Sequence, residues 1–135
     1  MVRQRMRRQG RRDTAPEMEL RRALWREGLR YRVDLSPLPR MRRRADVVFT
    51  RSRVAVFVDG CFWHRCPEHA TAPKANAEWW AAKLDANVAR DRDTDRTLGE
   101  AGWRVIRIWE HENMSEAATR IATEVKSAHG EDPPR

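Results

Sequence analysis

The sequence predicts an α/β domain: a mixed β-sheet flanked by helices. Two short β-rich runs separated by three residues make a hairpin, a later apolar run adds a further strand, and three amphipathic or capped stretches alternate with them as helices. The expected order is α-β-β-β-α-β-α. At 135 residues the chain suits one domain with a core that needs no disulfide.

Met1–Arg12 carries six Arg and little apolar material. It reads as a flexible basic arm, with the folded domain over 13–128 and a polar tail over 129–135. Thr14-Ala15-Pro16-Glu17 reads as a capping box, with Glu17 reaching back and Pro16 in the first turn. The helix it opens should run to about Glu27, bury Leu20, Ala23 and Leu24, and stop at Gly28. Tyr31–Val33 is a short strand, and Ser36–Arg44, with two Pro and four Arg, is a basic loop. Ala45–Thr50 and Val54–Asp59 form the hairpin around Arg51-Ser52-Arg53, and Pro67–Pro73 is a loop. Asn76 to about Leu98 is helical, with Trp80, Leu84, Val88 and Ala89 as its buried stripe, and Gly102 ends it. Trp103–Trp109 is apolar enough for a central strand. Ser115 caps a last amphipathic helix through Ile121 and Val125, with Glu116 in its first turn. The chain has no internal repeats and no Gly-rich phosphate loop.

Charge is divided unevenly. Residues 1–53 hold 17 Arg against 6 acids, while residues 54–135 hold 11 Lys or Arg against 14 acids, for a net charge of +8. A basic first half points to a polyanion, nucleic acid before membrane, and the dominance of Arg suits bidentate phosphate and base-edge contacts. An Arg-rich proteome would produce a similar bias without a ligand. No apolar run approaches the ~18 residues of a membrane span. The Arg-rich N-terminus has no apolar segment behind it, which excludes a secretory signal.

Asp46 opens one hairpin strand and Asp59 closes the next, so the turn brings both acids to one end of the sheet. Such acids can hold Mg²⁺ against a phosphate. They share a face only if the hairpin register allows it, and otherwise are solvated acids flanking a turn. After Asp59 comes Gly60-Cys61-Phe62-Trp63-His64-Arg65-Cys66-Pro67-Glu68-His69. Cys61 and Cys66, with four residues between them, can wrap one tetrahedral Zn²⁺ together with His69, and His111 is the remote candidate for a fourth ligand. The alternative is two buried thiols and surface histidines. His64 is either a local ligand or a general acid–base group. Phe62 and Trp63 belong either to the core or to a wedge that unstacks DNA bases. Metal-binding thiols favour a cytosolic setting.

Val56-Phe57-Val58-Asp59-Gly60-Cys61-Phe62-Trp63-His64 is similar to the signature of the very-short-patch mismatch-repair (Vsr) endonucleases, whose fold is related to restriction enzymes of the PD-(D/E)xK type. Four more segments agree in order: Arg12–Ala15 with Glu17; Ala45–Phe49; Glu78-Trp79-Trp80 through Asn87-Val88 and Arg90-Asp91-Arg92; and Gly102–Val105 through Trp109-Glu110. The resemblance spans roughly residues 6 to 112.

The resemblance implies a restriction-endonuclease-like fold and an Mg²⁺-dependent enzyme that nicks one strand beside the thymine of a T:G mismatch, starting repair of deaminated 5-methylcytosine. It implies Asp46 and the backbone carbonyl of Val58 as Mg²⁺ ligands and His64 as the acid–base group, with Glu17 and Asp91 orienting metal-bound waters or His64. Phe62, Trp63 and Trp80 resemble residues inserted beside the mismatch. Met6 falls where the family's arm enters the minor groove, beside Arg7 and Arg8 as further DNA contacts. The expected partners are mismatched double-stranded DNA and other mismatch-repair proteins, and the expected protein is a monomer in the bacterial cytoplasm, at the nucleoid.

Familiar members carry His where this chain has Asp59, an acid that could add a metal ligand. They carry His and Cys near Cys66 and His69, with a one-residue offset, and Cys at His111. The implied zinc set is therefore Cys61, Cys66, His69 and His111, with Cys and His exchanged. Two other readings use the same residues: a restriction-like nickase without mismatch preference, and a non-catalytic zinc module that binds DNA.

Overall fold

The computed structural model describes residues 14–60 and 75–131, with side chains as far as residue 128. Helix α1 (Ala15–Arg26) leads into β1 (Arg32–Leu35), β2 (Ala45–Phe49) and β3 (Val54–Asp59); α2 (Ala77–Glu100), β4 (Arg104–Trp109) and α3 (Met114–Glu131) follow. This is the expected element order. The four strands form one sheet in the order β1-β2-β3-β4. β1, β2 and β3 run antiparallel in turn, and β4 lies parallel to β3 after the crossover through α2. The run ending at Trp109 thus forms an edge strand among the described residues, and the central strands are β2 and β3. Its apolar content is accounted for by helices on both faces rather than by a central position.

One face of the sheet is covered by α1 and α3. Leu20 and Leu24 of α1 and Ile121 and Val125 of α3 close over Val47, Val54, Val56 and Ile108. The other face is smaller: Ala45, Val48, Ala55 and Phe57 meet Leu98 of α2, with Leu38 and Met41 of the basic loop packed alongside. The Ser36 hydroxyl ties that loop down by donating to the carbonyls of Leu38 and Met41.

Helix ends follow the sequence closely at glycine and less closely elsewhere. Gly28 and Gly102 both adopt φ +88°, a left-handed value that an L side chain resists. At each, the glycine N–H and the next N–H fold back onto helix carbonyls (Gly28 to Trp25 and Leu29 to Leu24; Gly102 to Gly99 and Trp103 to Leu98), closing α1 and α2. Thr14 caps α1, its Oγ1 accepting from the Glu17 N–H at 3.4 Å, but the Glu17 carboxylate is buried and engaged elsewhere. The cap of α3 is Asn113, whose Oδ1 accepts from the Glu116 N–H at 3.0 Å, and Ser115 lies inside the helix. Asn113 accepts from the first turn two positions before Ser115, which starts the helix two residues sooner.

In α2 the buried positions are Leu84, Thr94 and Leu98, with Trp80 and Val88 partly buried and Ala89 exposed. The stripe predicted through Ala89 instead turns toward Asp91, Thr94 and Asp95, because the sheet presents a charged residue to this half of the helix. β1 likewise sits one to two residues later than predicted.

Candidate active site

The hairpin register is Val47↔Val56, Val48↔Ala55 and Phe49↔Val54. Continued one step, it would set Asp46 opposite Phe57, two residues before Asp59. There the carboxylate takes over the ladder's role: Asp46 Oδ2 accepts the Val58 N–H at 2.6 Å. A short bond from a backbone donor fixes the carboxylate on the end of β3. Glu17, one turn into α1, reaches the same place from the helical layer. It is buried (4% exposed), forms a side-chain hydrogen bond with Asp46, and lies 3.5 Å from Arg21 Nη2.

Asp59, 6% exposed, ends β3 and adds its charge to the field at Asp46. Burial first, then the charge of Glu17, push the Asp46 carboxyl up to about 7, against the opposing pull of the Val58 N–H. The structure therefore brings together Glu17, Asp46 and Asp59, three of the acids singled out in the sequence. Such a concentration of carboxyl oxygens suits a hard divalent cation. Among the described residues no three His, Cys, Asp or Glu side chains close into a ready-made metal cage. Mg²⁺ does not need one, because it commonly takes one or two protein carboxylates and completes its shell with water and substrate phosphate.

Asp91, on α2, joins this group through an arginine that the sequence reading passed over. Arg107, in β4, donates from Nη1 to both oxygens of Asp59 (3.0 and 3.2 Å) and from Nε to both oxygens of Asp95 (2.9 and 3.1 Å). Its Nη1 is 3.7 Å from Asp91 Oδ1, and its Nη2 donates to the Asp91 carbonyl at 3.5 Å. The guanidinium lies over the Phe57 ring, 4.3 Å from its centroid. Burial works against its charge, but Asp95, Asp59 and Asp91 more than offset that and hold its pKa above the ordinary value. The signal was present: a single cation between Ile106 and Ile108 in a strand has to find buried acids.

Arg43, from the basic loop, has a buried Nη2 that finds no hydrogen-bond partner among the described residues. Burial, and then the nearby charge of Arg90, lower its pKa, while Asp91 raises it. Two arginines thus flank the Asp91 side of the carboxylates.

Trp80 is partly buried and meets Trp79 edge-to-face at 4.7 Å, while Trp79 is 58% exposed with Lys83 Nζ 5.8 Å from its ring. The ring more open to a ligand is therefore Trp79, which sequence reasoning did not select. His111 is exposed on the turn after β4. β3 and β4 end side by side, Asp59 paired with Trp109 and the Asp59 carbonyl accepting from the Glu110 N–H at 3.0 Å. His111 therefore follows the strand end adjacent to the one from which residues 61–69 continue. Met6, Arg7, Arg8, Cys61, Phe62, Trp63, His64, Cys66 and His69 lie outside the described residues, as does the whole of the basic arm. No helix among the described residues is long and apolar enough to cross a membrane.

Residues 2–69 match the family model described as DNA mismatch endonuclease Vsr. The chain is 47% identical to the type II nicking enzyme V.NaeI of Lentzea aerocolonigenes, over 80% of this chain and 66% of that protein. It is 34% identical to the type II nicking enzyme V.NmeDIP of Neisseria meningitidis serogroup C, over 87% of this chain and 80% of that one. It is 40% identical to the DNA mismatch endonuclease Vsr of Escherichia coli (strain K12), over 73% of this chain and 62% of that one. This chain thus spans just under two thirds of V.NaeI and of the E. coli protein. With a matching family model over half its length and 34% identity across four fifths of V.NmeDIP, the chain belongs to the Vsr family.

Proposed function

We propose that this protein is an Mg²⁺-dependent endonuclease that nicks one strand of duplex DNA beside the thymine of a T:G mismatch. The observation that carries this reading is the Asp46 carboxylate, buried beside Glu17 and Asp59 at the end of the hairpin and pinned by the Val58 N–H, in a chain of the Vsr family. Asp46 and the Val58 carbonyl would hold the ion, which supplies charge to polarise the scissile phosphate and to favour departure of the 3′-oxygen. Glu17, hydrogen-bonded to Asp46, fixes its rotamer. Asp91 sits at the rim, where it can orient a water or the His64 imidazole. His64 moves the proton of the attacking water.

Arg43, the basic arm with Arg7 and Arg8, and the rest of the 36–44 loop would contact phosphates, which gives affinity without reading sequence. Met6, Phe62, Trp63 and Trp80 would enter the base stack, and a T:G wobble is cheaper to open than a Watson–Crick pair. Zn²⁺ held by Cys61, Cys66, His69 and His111 would fix the segment that displays Phe62 and Trp63.

The test is nicking of otherwise identical T:G and T:A duplexes with Mg²⁺. Preference for T:G is expected, and equal cleavage would refute mismatch selectivity. The second reading, a nickase without mismatch preference, is favoured by the relatives that are themselves named type II nicking enzymes. Equal cleavage would select it.

A further inference from the structure

We propose that Arg107 is a positioning residue that neutralises Asp59 and locks α2 onto the end of β3, so that Asp59 serves the site as a clamped carboxylate and not as a free metal ligand. The inference rests on the endonuclease reading above and extends it to a residue to which the resemblance assigns no role.

Three observations carry it. First, all three guanidinium nitrogens are occupied by protein: Nη1 by Asp59, Nε by Asp95, and Nη2 by Asp95 at 2.8 Å and by the Asp91 carbonyl. A phosphate would have to displace these acids, so Arg107 acts on the protein and leaves phosphate contact to other arginines. Second, the bonds join two elements that carry the site. Asp59 belongs to β3, two residues from the hairpin edge that holds Asp46, and Asp91 and Asp95 lie one turn apart on α2. Third, the Phe57 ring lies against one side of the guanidinium, which sets the direction of its two-nitrogen pairing with Asp95 and of the Nη1 bonds to Asp59. A planar fork does this where a lysine, a point charge, cannot.

The chemistry follows from charge. Asp59 lies beside the ion-holding end of the hairpin, and the Arg107 guanidinium, 3.0 and 3.2 Å from its two oxygens, cancels much of its charge there. Removing Arg107 takes a full positive charge from 3.0 Å beside Asp59 and leaves the site more negative around Asp46. It would then attract a divalent cation more strongly but in the wrong geometry, and α2 would lose its hold on Asp91. Metal binding and turnover should therefore move in opposite directions, which a purely structural loss would not produce.

The test uses the full chain, with Arg107→Gln, Arg107→Lys and the double variant Arg107→Gln/Asp59→Asn. Two quantities are read: the Mg²⁺ concentration at the midpoint of its thermal stabilisation without DNA, and kcat and KM for nicking. Arg107→Gln should lower the Mg²⁺ midpoint at least about threefold and kcat at least about tenfold, with KM within about threefold. Arg107→Lys, which keeps the charge, should return the midpoint to within about twofold of wild type but leave kcat low. The double variant should also restore the midpoint and recover kcat about fivefold over Arg107→Gln. If Arg107→Gln does not fold, recovery of folding in the double variant supports neutralisation of Asp59, and failure of both overturns it. An unchanged or raised midpoint in Arg107→Gln overturns the proposal, as does a tenfold rise in KM at constant kcat, which would mark a phosphate contact. A wild-type protein that nicks no duplex would sink the functional reading, while the Mg²⁺ and melting comparisons still decide the role of Arg107.

Discussion

Asp46→Asn should stabilise the metal-free protein at neutral pH while destroying a ligand. The Asp46 carboxyl is raised from 3.8 to about 7, chiefly by burial and next by the charge of Glu17. A carboxyl with a raised folded-state value binds its proton more tightly in the native than in the unfolded chain. Its stabilising effect is therefore complete below pH 3.8 and is lost as pH climbs to about 7. At 1.36 kcal/mol per decade of proton affinity, that interval corresponds to about 4 kcal/mol. Asn mimics the protonated acid: its carbonyl can still accept the Val58 N–H, and its amide can donate to Glu17. Because Asn also alters the hydrogen bond with Glu17, the variant should recover about half to all of that amount at pH 8, or about 2–4 kcal/mol. For a chain of this length, at about 4 °C per kcal/mol, Tm should rise by roughly 8–16 °C. The gain should shrink toward zero near pH 4.5, where the wild-type acid is protonated. Millimolar Mg²⁺ should narrow it at pH 8 by stabilising the wild type alone. The assay is thermal melting by circular dichroism from pH 4.5 to 8.5, in chelator and then in Mg²⁺. An Asn variant that melts at or below the wild-type temperature at pH 8, or whose advantage does not depend on pH, would refute the reasoning.

His64→Ala should slow Mg²⁺-dependent nicking by roughly 10²–10⁴-fold, the usual share of general acid–base catalysis, and a wild-type rate would remove His64 from the mechanism. Protein purified without added zinc should carry one zinc per chain by elemental analysis, and His111→Ala should lower that stoichiometry; full occupancy in the variant would move the fourth ligand elsewhere. Arg43→Ala should weaken binding to paired and mismatched duplexes alike and reduce the slope of log affinity against log salt by about 1. A loss confined to the mismatched duplex would instead assign Arg43 to base recognition.

Local chemistry made most of the element plan legible in the sequence. Gly28 and Gly102 stop helices because only glycine tolerates the left-handed turn that reuses the last carbonyls, and Thr14 opens one because its hydroxyl accepts an otherwise orphaned N–H. Arg51–Arg53, between two β-branched runs, could only be a hairpin turn, and this alone brought Asp46 and Asp59 to one end of the sheet. These signals lie within a few residues of the structure they specify. The order of the strands was not of that kind. Trp103–Trp109 reads as central because it is apolar, yet it lies at the edge among the described residues; strand order depends on pairing between distant segments, which apolar content does not encode. The same holds for the site. Asp46 beside Glu17 requires α1 to pack over β2, and Asp59 clamped by Arg107 requires the α2 crossover to lay β4 parallel to β3. Those contacts span 29 and 48 positions of the chain, and only the folded sheet decides them, because a carboxylate acquires its partner and its proton affinity from neighbours in space.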